Sequence, residues 1–329
     1  MTIIGTQQIY KTLSQIGLKK NHVRVLLPEW WDDSIAKSEA GAWEFVTLIS
    51  RRLSLDAKSL ASGDIVPIGS VSNIAYKHRS SISDDNYRAG TMIAAALAES
   101  VIAAMDRDFT LTQFDPELMR STIQAQNNGI VDFDGLVIYC WNHGIPVIPL
   151  PNLPIGIRRM DGAVFKVNKR PAIIISRKND SKAWLSFILA HEIGHYCLGH
   201  LVEGSSIIDV DLKREATYQG GTSSDQQERE ADKFALNLLS GGEVDALLRN
   251  WSPRVSGVEL AFNAKRDANQ VGSSAGHLAL RYAFLTNRWM EALTALKFID
   301  EDFDAQIRLA EELSSRISLS KIAHQNPHQ

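Results

Sequence analysis

Apolar positions recur every three or four residues through Ala42–Leu53 (AWEFVTLISRRL), where Trp43, Val46, Ile49, Ser50 and Leu53 share one face, so the spacing predicts an amphipathic helix. Residues 1–80 alternate such short helical patterns with breaks. SGDIVPIGS and the polar run Lys77–Asn86 (KHRSSISDDN) then mark the end of a helical N-terminal domain. Helical spacing resumes from Asn86 to Met105, and again in PELMRSTIQAQNN and in FDGLVIYCWNHG, where Gly144 stops it. The period then changes. Ile145–Leu150, Gly162–Val167 and Pro171–Arg177 are short β-branched runs parted by turn residues, which predicts a small antiparallel sheet.

Asp180 and Ser181 offer an N-cap to KAWLSFILAHEIGHYCLGH, a helix apolar on most of its surface and therefore expected to be buried. The segment Val202–Gln227 breaks the pattern. Glu228–Leu239 opens another helix with its stripe at Ala231, Phe234, Ala235 and Leu238, and Ser-Gly-Gly at 240–242 ends it. Residues 241–329 read as helical, with one long segment over His277–Ile299 and a polar tail, HQNPHQ. The expected fold class is α+β: a central domain over 86–240, flanked by helical regions at 1–80 and 241–329.

Composition narrows the function classes. The 329 residues are 44% hydrophobic and 22% charged, as in globular proteins, and a net charge of -3 gives no global basic field for nucleic acid or acidic lipid. Cys140 and Cys197 have no CxxC partner and read as reduced core residues. MTIIGTQQIYK lacks a basic region followed by an apolar stretch, and Met92–Met105 is interrupted by Glu99 and Ser100 and too short to span a bilayer. The expectation is a cytoplasmic protein with no membrane partner.

The chemistry is concentrated in AHEIGHYCLGH, Ala190–His200. His191 and His195 are four residues apart, so on a helix both rings lie on one face and can point at one ion. Glu192 follows one position round the helix. This is the HExxH arrangement, in which two imidazoles ligate Zn²⁺ and the glutamate takes a proton from the activated water. A catalytic site needs a third protein ligand. The metzincin spacing would place a glycine and a histidine at the positions held by Leu198 and Leu201, which excludes that class. A glutamate from a following helix is the other solution, and EREAD supplies Glu228 as metal ligand, with Asp232 one turn on as the acceptor that holds a ligand histidine's other N–H. Glu230 points to the opposite side. An extended substrate could add to the edge of the strand PAIIISR.

AHEIGHYCLGH followed by EREADKFALNLL resembles the ImmA/IrrE family of metallo-endopeptidases, gluzincin-like proteins, over roughly Phe133–Leu239. The motif matches His191, Glu192, His195 and Glu228, and Asp232 stands where the family commonly has asparagine. The resemblance implies a zincin-like peptidase domain and Zn²⁺ as the cofactor, with Mn²⁺ an alternative in the cell. The substrate it implies is a helix-turn-helix repressor of the Xre type, whose cleavage releases stress-response or mobile-element genes. Leu26–Ser62 is similar to N-terminal extensions of some relatives and to an Xre-type helical domain, and Val271–Trp289 is similar in position to a winged-helix-like tail.

Blander readings stand beside these. The two histidines and Glu192 could form a hydrogen-bonded polar cluster, Glu228 a first-turn carboxylate favoured by the helix dipole, and Asp232 a surface acid. His200 reads as a helix C-terminal histidine, and Tyr196 and Tyr218 as core and loop tyrosines rather than oxyanion donors. Residues 1–60 hold eight Lys/Arg against six Asp/Glu, too balanced to argue DNA binding. The functional alternatives are a metal-bearing transcriptional regulator and a toxin-antitoxin component, each acting by binding.

Overall fold

α1 (Thr6–Ser14), α2 (Lys20–Leu26), α3 (Glu39–Leu53) and α4 (Ala57–Ser62) close around Ile9, Leu13, Val23, Phe45, Ile49 and Leu53, all fully buried. Ser38 caps α3 by accepting the Gly41 N–H, and Trp31 packs on Phe45. The computed structural model describes residues 5–78, 85–150, 153–177, 181–210, 226–300 and 303–318. Most of the Lys77–Asn86 linker, Asp180, Tyr218 and the HQNPHQ tail lie outside them. The described residues form fourteen α-helices and one five-stranded mixed sheet, an α+β chain.

α5 (Asp85–Ala104) buries Met92, Ala95, Ala98 and Val101. Its polar interruption ties it to the N-terminal region, because the Glu99 carboxylate accepts from Ser54 Oγ at 2.7 Å and from the Ser70 N–H at 2.9 Å. No helix among the described residues is long and apolar enough to cross a membrane. α6 (Pro116–Gln126) and α7 (Phe133–Asn142) follow, and Gly144, at φ +77°, ends the second where a Cβ would meet the Asp108 carbonyl. Cys140 and Cys197 are free thiols, and burial pushes the Cys197 pKa up to about 12.

The sheet runs in the order β1 (Asn73–His78), β5 (Ser205–Val210), β3 (Gly162–Val167), β4 (Arg170–Ile175), β2 (Val147–Pro149). β3 and β4 pair antiparallel as expected, in a hairpin turned by Asn168 and Lys169 at φ 50° and 67°, the left-handed pair a two-residue turn requires. The purely antiparallel expectation is corrected. β2 pairs with β4 and β1 with β5 in parallel, since both partners arrive over long connections that no local turn signal announces. β4 is consequently not an edge. β3 takes one side along its whole length and β2 takes the other over Ile173–Ile175, so the middle of PAIIISR offers no free strand side to a substrate.

α8 (Lys182–Cys197) starts at Ser181, whose Oγ accepts the Trp184 N–H, and every residue from Ala183 to His195 is buried, as its all-round apolar pattern predicts. It lies between the β3–β4 side of the sheet and α9 (Gln226–Ser240). α8 and α9 approach closely at Gly194, where an added Cβ would come within 3.3 Å of the Ala231 backbone.

α10 (Val244–Arg249), α11 (Gly257–Asp267), α12 (Ala275–Thr286) and α13 (Trp289–Ile299) pack a further core around Trp251, Leu260, Leu278 and Tyr282. The long helix expected over His277–Ile299 is two helices, because Asn287 adopts the left-handed conformation at φ 58° and caps the first. α14 (Ala305–Arg316) returns to the central core with Leu309 and Leu313. There Gln306 Nε2 donates to the carbonyls of Ile175 and Arg177, just past the end of β4.

Candidate metal centre

The last two turns of α8 carry His191, Glu192 and His195 into the space between the sheet and α9. The Nε2 atoms of the two histidines are 2.9 Å apart, so both rings aim at one point. Glu228, in the first turn of α9, brings its carboxylate oxygens to 3.6 Å from His191 Nε2 and 3.3 Å from His195 Nε2. Asp209 of β5 comes from the opposite side, its Oδ2 lying 3.2 Å from His191 Nε2. One donor atom from each of these four residues falls within 4.8 Å of all the others, and the group could hold a metal ion.

The donor set fits a divalent cation. Two imidazole nitrogens and two carboxylates suit zinc, whose tetrahedral ligand atoms stand about 3.3 Å apart when bonds are near 2 Å. His191, Glu192, His195 and Asp209 are wholly buried, and Glu228 and Asp232 nearly so. Four carboxyl groups thus face two imidazoles away from water, where an uncompensated charge costs several kcal/mol or more. Asp209, Glu192 and Glu228 together present six carboxylate oxygens, more than the two inward Nε2 atoms can pair. A cation in their midst answers this excess of acceptors.

The outer nitrogens of the ligand rings are held. His191 Nδ1 is 2.9 Å from Asp232 Oδ1, the neighbour expected for this acid. His195 Nδ1 is 2.9 Å from His200 Nδ1, and His200 Nε2 is 3.0 Å from Glu230 Oε2. Glu230 therefore reaches the site through His200, although it leaves the α9 face that carries Glu228. His200 is not a histidine turned to the helix terminus. Burial holds its pKa low, against the pull of Glu230.

Electrostatics separates the acids. Burial raises the Glu192 pKa well above the carboxylate range, and the Asp209 carboxylate adds to it. Burial acts in the same sense on Glu228, but His191 and His195 overcome it and hold that carboxyl far below its usual value. Burial likewise opposes charge on His191, and Asp209, Asp232 and Glu228 together outweigh it, leaving its pKa well above the ordinary imidazole value.

Space for Glu192 comes from a missing side chain. Gly162 opens β3 directly opposite Asp209 of β5, and an added Cβ there would stand 2.2 Å from Glu192 Oε1. Tyr196 is directed elsewhere, its hydroxyl donating to the Lys169 carbonyl in the hairpin turn. The structure thus brings together His191, Glu192, His195, Glu228 and Asp232. Sequence reasoning missed Asp209, Gly162 and the His200–Glu230 pair. The available signal for Asp209 was an acid inside the short apolar run SSIIDV.

No family model matches the chain, and no curated protein matches it.

Proposed function

We propose that this chain is a zinc-dependent endopeptidase that hydrolyses an internal peptide bond of a protein substrate. The observation that carries the reading is the place of Glu192. Its carboxyl is wholly buried beside the four converging donors without being one of them. A site that only holds a fold together has no use for such a group, whereas hydrolysis needs a general base.

His191 and His195 through Nε2, and Glu228 through its carboxylate, would hold the ion. When bound, zinc or manganese lowers the pKa of water and polarises the scissile carbonyl. Glu192 takes the proton of the attacking water and passes it to the leaving amine, a role suited to a carboxyl that holds its proton more tightly than usual. Asp232 accepts the Nδ1–H of His191. His200 Nδ1 accepts the Nδ1–H of His195 and donates its own Nε2–H to Glu230, so both ligand rings turn an unprotonated Nε2 inward.

The resemblance of AHEIGHYCLGH and EREADKFALNLL to ImmA/IrrE peptidases supports a zincin-like central domain and, as substrate, an Xre-type repressor in the cytoplasm. Profiling new protein N-termini in cells carrying wild type or Glu192→Gln, under a panel of stresses, tests both parts. A Glu192-dependent cut in one helix-turn-helix protein is expected. Identical N-termini in the two strains under every condition would sink the peptidase reading.

A further inference from the structure

We propose that Asp209 is a fourth protein ligand, which closes the metal centre against substrate until the end of β5 moves away. The inference rests on the peptidase reading and describes how that same site is regulated.

Number and position of donors carry it. A catalytic zinc site keeps three protein ligands and one open position, whereas four protein ligands close it. Here the fourth is present. Asp209 Oδ2 stands 3.2 Å from His191 Nε2 and 3.9 Å from His195 Nε2, distances like those of Glu228 to the same rings. Asp209 is wholly buried on a strand whose other residues are Ser, Ile and Val, and its Oδ2 faces the inward nitrogens of both histidines. A cation between these donors offsets the cost of burying its charge.

Its register sets what opening must break. Asp209 stands near the C-terminal end of β5, between Lys77 of β1 and Gly162 at the first position of β3. Withdrawing the carboxylate breaks the pairings of Asp209 with Lys77 and Gly162 and the bond from the Asp161 N–H to the Asp209 carbonyl, while Ser206–Ile208 stay paired with β3. The histidines and Glu228 come from α8 and α9, so three ligands remain in place and the fourth position becomes available. With Asp209 bound, Glu192 is fully enclosed and has no peptide to serve.

The test uses the full-length protein loaded with Co²⁺, whose visible absorption reports coordination, with acetohydroxamate as a small probe that binds only at an open position. The wild-type spectrum is expected to stay unchanged as the probe is raised through the millimolar range. Asp209→Ala and Asp209→Asn, checked for folding by thermal melting, should shift saturably and bind Co²⁺ about tenfold or more weakly. The wild-type titration decides even where a variant misfolds. A saturable wild-type response equal to that of the variants overturns the closing role and leaves the peptidase reading standing. A wild type that binds no Co²⁺ overturns both. Variants that open to the probe and yet give no Glu192-dependent cleavage retain Asp209 as the closing ligand and remove the peptidase.

Discussion

Nδ1 of His191 faces Oδ1 of Asp232 at 2.9 Å, and both side chains are closed off from solvent. The ring is thereby fixed in one tautomer and one orientation, with its other nitrogen turned to the candidate metal position. Replacing the acceptor by Asp232→Ala should weaken metal binding about 10- to 100-fold, while Asp232→Asn, which keeps an acceptor oxygen, should lose less. Competition against a chromophoric chelator measures both. An unchanged affinity in Asp232→Ala would take the carboxylate out of this role.

Glu228 and Glu192 are both buried acids near the two histidines, yet their environments assign them different work. Glu228 reaches both Nε2 atoms, and their pull holds its carboxyl ionised. Burial and Asp209 instead push the Glu192 pKa upward. Glu228→Ala should therefore lose metal during gel filtration, whereas Glu192→Gln should retain it and lose hydrolysis. Equal metal content in the two purified proteins, read by elemental mass spectrometry, would remove Glu228 from the ligand set.

What the sequence disclosed about this site follows from how local each signal is. His191 and His195 are joined by one helical turn, and Glu228 and Asp232 by another, so spacing alone puts each pair on a face. The burial of α8 was equally legible, because its apolar residues leave no polar side. Asp209 was not. It acquires meaning only through β5 pairing with β3 across more than forty residues of chain, beside a β1 that the sequence offers as part of a break. His200 and Glu230 were misread for a related reason. Each looks dispensable in its own segment, and the link from His195 through His200 to Glu230 exists only once α8 and α9 have packed.

Gly162 provides a test of the base from a position that is not itself a ligand. A methyl group at this position would meet Glu192 Oε1 at 2.2 Å and Ile188 Cγ2 at 2.9 Å, so the carboxyl has to move or the strand has to shift. Gly162→Ala should cost about 1–3 kcal/mol in chemical denaturation, as overpacking does, and should abolish cleavage while metal content stays at the wild-type level. A variant with wild-type turnover would show that Glu192 does not need the space left by Gly162.

His277 lies outside the metal centre and gives a pH dependence whose sign can be worked out. It is fully buried on α12, and burial, aided by the nearby Arg281 and Arg120, lowers its pKa to about 3. In the unfolded chain the same ring titrates near pH 6.5. Between those values the unfolded state holds the extra proton, so this residue's contribution to stability is intact above pH 6.5 and falls as pH drops toward 3. The slope from one such group is at most about 1.4 kcal/mol per pH unit. His191 is shifted the opposite way and metal loading adds its own dependence, so the informative quantity is a difference between proteins. Urea denaturation of wild type and His277→Gln at pH 7.5 and pH 5 should show wild type losing more stability on acidification, by roughly 2 kcal/mol if the shift is fully expressed. Parallel losses in the two proteins would mean that His277 gains its proton in the folded state as readily as in the unfolded one, and that burial beside Arg281 does not keep it neutral.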